Sequence, residues 1–138
     1  MMAHVHDIER YSTPPTVADL EAVAREAYAG VPVELRRFVQ NVIIRVQDFP
    51  DDETLEDLEC ESPFDLLGLY RGVDLTQKSV VDTPEDVDMI FLYRRPILDY
   101  WCEAGEDLTH VVRHIMIHEI GHHFGLSDDD MERIEAEA

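Results

Sequence analysis

The chain has 138 residues, 45% of them hydrophobic, and a formal net charge of -20. That length fits one domain with a core of its own. The charge argues against nucleic-acid binding, which needs basic patches, and against an anionic membrane surface.

No stretch reaches the roughly 18 uninterrupted apolar residues that a membrane span needs. Residues 1–15, MMAHVHDIERYSTPP, contain no apolar run. They read as a flexible N-terminal arm without a secretory leader, with His4 and His6 as surface residues. Cys60 and Cys102 lie far apart and form no CxxC pair. Reduced thiols and a cytoplasmic location are therefore expected. A single domain is expected over residues 16–138.

Thr16 to Ala29 follows a helical period through Val17, Leu20, Val23, Ala24, Ala27 and Tyr28. Thr16 suits the N-cap, and Gly30 suits the residue after the end. A short helix is expected over Val33–Val39. The β-branched run in NVIIRVQDF predicts a strand. Residues 48–63, DFPDDETLEDLECESP, read as a solvated acidic loop. FDLLGLYRGVDL reads as a strand and turn, and LTQKSVVDTPEDV as turn-rich. DMIFLYRR predicts a second clear strand centred on Met89–Tyr93. Pro96 suits the first turn of a helix over about 96–104. Asp107 is a good N-cap for LTHVVRHIMIHEIGHHF, which Gly125 ends. A short acidic helix, DDMERIEAEA, closes the chain. Helices and strands in this order predict an α+β fold, a small sheet packed on helices.

The chemistry concentrates in residues 118–130, HEIGHHFGLSDDD. Residues four apart on a helix differ by roughly 40° around its axis. His118 and His122 therefore face the same way and can share one ion. Glu119 flanks that ion from about 60° beyond His122. HExxH on a helix is the pattern of a zinc hydrolase with the glutamate as general base. Catalytic zinc sites usually take three protein ligands. Gly125 tolerates the positive φ that would turn the chain back, so that Asp128 reaches the same ion. Asp129 and Asp130 are its rivals. His114, one turn before His118, reads as a core or supporting histidine, and His110 as surface. His123 points elsewhere, as a partly exposed residue near the cleft. Ile115, Met116, Ile120 and Phe124 form the core stripe. Gly121 is expected to admit a neighbouring strand.

LLGLYRGV, IFLYRRPIL and VVRHIMIHEIGHHFGLSDDDM, in that order, resemble the small bacterial zincin-like metallopeptidases, over about residues 16–131. The resemblance implies a minimal zincin core: a small mixed sheet packed against helices that include the metal-binding helix. It implies one Zn2+ per chain held by His118, His122 and Asp128, with Glu119 as the catalytic base. The implied activity is hydrolysis of peptide bonds in a peptide or protein substrate. In zincins such a substrate adds as a strand to a sheet edge. The segment Met89–Tyr93 is the expected edge here. Tyr93 and His123 are both candidates to steady the oxyanion. Larger zincins carry a methionine turn or a distant glutamate ligand; Met131, Glu132 and Glu135 lie too near in sequence for those parts. The missing substrate subdomain and the acidic surface support a second reading, a non-catalytic metal-binding or protein-interaction module on the same core. No nucleic-acid or membrane partner is expected, and the sequence leaves a homodimer open.

Overall fold

The computed structural model describes residues 7–39, 41–72 and 88–136. His4, His6 and the turn-rich stretch over 75–87 lie outside the described residues, as do the last two positions of the acidic tail.

Helix α1 spans Val17–Ala29 and opens on a full capping box. The Thr16 hydroxyl accepts from the Asp19 N–H at 3.1 Å, and the Asp19 carboxylate accepts from the Thr16 N–H at 2.9 Å. These bonds satisfy two of the donors a helix start leaves orphaned. Leu20, Ala24 and Ala27 are fully buried, so α1 lays one apolar stripe on the core. Helix α2 is a single turn, Val33–Arg36.

The sheet has three strands: β1 (Val42–Gln47), β2 (Gly68–Arg71) and β3 (Asp88–Tyr93). Their order is β1-β3-β2. β1 runs parallel to β3, with Ile44 opposite Ile90, and β2 runs antiparallel to it, with Tyr70 also opposite Ile90. The sheet is therefore mixed. Val46, Ile90, Leu92 and Tyr70 point into the core, while Ile43 and Arg45 on the other face are exposed. This alternation is what one buried sheet face requires.

β3 is the central strand, so the expectation of a sheet edge at Met89–Tyr93 is corrected. Its backbone groups bond to β1 on one side and β2 on the other. A strand so densely apolar belongs in the middle of a sheet rather than at an open edge. The acidic stretch is also more ordered than expected. It holds helix α3, Asp52–Asp57, capped by the Asp51 carboxylate accepting from the Thr54 N–H at 2.8 Å. Acidic residues in a first turn complement the helix dipole, which is why charge did not prevent a helix there.

β3 passes without a loop into α4, Arg94–Ala104, two residues earlier than Pro96 suggested. Pro96 sits in the first turn, where its missing N–H costs no helical bond. Gly105, at φ 70°, ends the helix in the left-handed conformation. Cys60 and Cys102 are free thiols.

Helix α5, Leu108–His123, is the spine of the core. Val112, Met116, Ile117 and Ile120 are all fully buried. Asp107 occupies the N-cap position but makes no side-chain capping bond. The cap comes from a distant residue instead. Asp7, 7% exposed, accepts from the Leu108 N–H at 3.2 Å and from the Trp101 indole N–H at 2.7 Å. A carboxylate at a helix start is favoured by the dipole and by the orphan N–H groups. From Asp7 onward the segment expected to be a loose arm is thus docked on α4 and α5. Asp7→Ala should destabilise the fold by about 2 kcal/mol or more, because it leaves two buried donors without this acceptor. A urea titration measures it; an unchanged midpoint would mean the contact contributes nothing.

Among the described residues, no helix is long and apolar enough to cross a membrane.

Candidate metal centre

Helix α5 buries most of its circumference, and one polar stripe remains. His114, His118 and His122 recur every four residues along it. The α-helix advances 1.5 Å per residue, so this stripe is about 12 Å long. Gly125, at φ 80°, then reverses the chain as expected. Helix α6, Asp128–Ala136, runs back along α5. Its start is a capping box of Ser127 and Asp130: the Ser127 hydroxyl accepts from the Asp130 N–H at 3.1 Å. Asp130 is thereby committed to the helix start. Asp128 is the first helical residue and keeps its carboxylate free of that box.

The structure brings His118, His122 and Asp128 together. One donor atom from each lies within 4.8 Å of the others. His122 Nε2 is 3.3 Å from Asp128 Oδ1. The His118 Nε2 atom is shielded from solvent and has no hydrogen-bond partner among the described residues. A buried imidazole nitrogen left this way carries a desolvation cost that a bound cation would relieve. Two imidazoles and one carboxylate are also the donor set of a three-ligand zinc site. The residues therefore fit a metal ion.

Glu119 lies to the side of this cluster and is half-buried. Burial pushes its carboxyl above the usual range, while the Tyr70 backbone N–H and the nearby His122 pull it back down. A carboxyl raised by desolvation is better matched to proton transfer near neutral pH than an exposed one. Tyr70 ties β2 to the site from both ends: its N–H reaches Glu119, and its hydroxyl donates to Asp88. Its ring lies 4.2 Å from that of His123. Gly68 lets β2 approach this closely, since a Cβ there would stand 2.7 Å from Ile115 Cγ2. The two oxyanion candidates separate by exposure: Tyr93 is 2% exposed, whereas His123 is open to solvent. Burial and nearby carboxylates push the Tyr93 hydroxyl up to about 12.

A family model described as zincin-like metallopeptidase matches residues 39–138. The chain belongs to that family. The match includes all three strands, α5 and α6, so the zincin-like core covers the whole candidate centre. Membership implies a metal ion and a metallopeptidase scaffold. No curated protein matched the chain.

Two expectations change at this site. Gly121 does not admit a strand; a Cβ there would stand 2.2 Å from Met131 Sδ, so it admits α6. Glu135, set aside as too near in sequence, lies 2.6 Å from His114 Nδ1 and 3.5 Å from His118 Nε2. The helical reversal, rather than chain separation, decides which carboxylates reach the histidines. His114 accordingly has a carboxylate partner rather than a place in the core, and it is nearly half exposed. Its four-residue spacing from His118 was the available sequence signal.

Proposed function

We propose that this zincin-like protein is a zinc-dependent peptidase, with His118, His122 and Asp128 as metal ligands and Glu119 as general base. One observation carries the reading: three donors of the right chemistry converge within 4.8 Å, and a desolvated carboxylate flanks them. When bound, a zinc ion supplies Lewis acidity and lowers the pKa of a bound water. Glu119 takes the proton of the attacking water and passes it to the leaving amine. His123 is the residue we assign to the developing oxyanion, because substrate can reach it and cannot reach Tyr93.

The substrate strand is reassigned with the sheet order. Among the described residues, β2 has β3 on one side and no strand on the other. It also lies against α5 and touches Glu119 through Tyr70. An extended peptide would add along β2 rather than β3. The acidic surface suits peptides of basic character, and reduced thiols accord with a cytoplasmic location.

Incubation of the zinc-loaded protein with a peptide library tests the reading. Cleavage that a chelator removes and zinc restores is the expected outcome. An intact library in the presence of bound zinc would favour the non-catalytic interaction module instead.

A further inference from the structure

We propose that His114, His118 and Glu135 form a second ligand set for a divalent transition-metal ion, alternative to the set of His118, His122 and Asp128. One donor atom from each of the three lies within 4.8 Å of the others, the same closeness as in the first set. Like the first, this set offers two imidazoles and a carboxylate, the chemistry that suits zinc and its neighbours.

The arrangement follows from two antiparallel helices. The histidine stripe on α5 is about 12 Å long, and Asp128 and Glu135 are seven residues, or about 10.5 Å, apart on α6. Seven residues make nearly two whole turns, so both carboxylates emerge from one face of α6. Because α6 returns along α5, Asp128 meets His122 and Glu135 meets His114. His118 lies between the two and belongs to both sets. Its solvent-shielded Nε2, which makes no hydrogen bond among the described residues, is 3.5 Å from Glu135 Oε1. The second set is the less exposed of the two. Outside the shared His118, the His114 and Glu135 side chains are 47% and 18% exposed, against 55% and 83% for His122 and Asp128.

A neutral imidazole has one nitrogen lone pair to give. His118 therefore serves one ion at a time, and the two sets exclude each other. An ion in the second set leaves out His122 and Asp128 and lies up to one turn of α5, about 5.4 Å, nearer the start of that helix.

Cobalt(II) titration followed by its visible absorption tests this, with circular dichroism as the check on folding. The full chain should bind one ion. His122→Ala/Asp128→Ala should still bind one ion, at least about ten-fold more weakly. Adding His114→Ala and Glu135→Gln to that variant should weaken binding by a further hundred-fold or so, since even changes outside the ligand sphere cost about 10–100-fold. If Glu135→Gln loosens α6, His114→Ala alone carries the comparison, because His114 is exposed enough to be replaced without a cavity. Three results would overturn the proposal. A folded His122→Ala/Asp128→Ala chain that binds no cobalt is one. Residual binding indifferent to His114 and Glu135 is another; it would reduce that pair to a contact between helices. Two ions per wild-type chain is the third. The inference shares the metal site with the proposed peptidase, but the two fail separately: no binding by the wild type sinks both, whereas loss confined to the double variant sinks only the second set.

Discussion

Glu119→Gln should lower peptide hydrolysis by between about a hundred- and ten-thousand-fold, the span that a positioned general base contributes. Zinc content should stay unchanged, because Glu119 flanks the donor cluster without being one of its ligands. Glutamine keeps the shape of the side chain and can still accept from the Tyr70 N–H, so β2 should stay in place. Steady-state rates and metal content, measured on the same preparation, separate the two effects. A variant as active as the parent would remove Glu119 from the mechanism. A variant that loses its zinc would make Glu119 a ligand instead.

The second large effect is expected at Gly121, on the far side of the metal helix from solvent. Replacing an interior helical glycine by alanine ordinarily gains about 1 kcal/mol. Here the new Cβ would stand 2.2 Å from Met131 Sδ and 2.7 Å from its Cγ. Met131 is fully buried. Overpacking of this kind costs about 1–3 kcal/mol, enough to outweigh the propensity gain. Gly121→Ala should therefore destabilise the protein and push α6 outward, carrying Asp128 and Glu135 with it. Zinc affinity should fall by about ten-fold or more, the effect of disturbing the support of a metal ligand. The sign should reverse in a Met131→Ala background, where the same substitution should be neutral or stabilising. Thermal melts of the four proteins make the double-mutant cycle. Gly121→Ala that stabilises the parent would show that α6 is not seated on α5 in this way.

The elements legible in the sequence were those with a strong local period. α1 announced itself through Leu20, Ala24 and Ala27 and its Thr16 cap, and α5 through its apolar stripe and Gly125. The spacing of His118 and His122, with a turn at Gly125, places Asp128 among the candidate ligands from sequence alone. What local pattern could not carry was the order of strands. Met89–Tyr93 reads equally well as an edge or a centre, because pairing is decided by the partners and not by the strand itself. α3 was hidden by charge, since an acidic run looks solvated until Asp51 is seen to cap it. The α5 cap escapes local pattern because Asp107 fits the local rule, while Asp7 accepts from the first N–H of the helix from a hundred residues away.

Glu135 and Met131 were missed for a related reason. Sequence distance is no spatial limit here, because the reversal at Gly125 folds α6 back over about two turns of α5. The pattern was available in the residues: histidines at 114, 118 and 122, and carboxylates at 128 and 135, are matched spacings on two antiparallel helices. Read as a pair of facing stripes, they predict the zipper of side chains that the structure displays.

The most direct test of the central claim is metal content by mass spectrometry, on protein purified without a nickel column. Wild type should be measured beside His118→Ala and Asp128→Ala. About one zinc per chain is expected in the wild type, with reduced content in Asp128→Ala and none in His118→Ala, which removes the one residue common to both ligand sets. A wild type that holds no zinc after zinc addition and dialysis, or a His118→Ala variant that holds as much as its parent, would contradict the account.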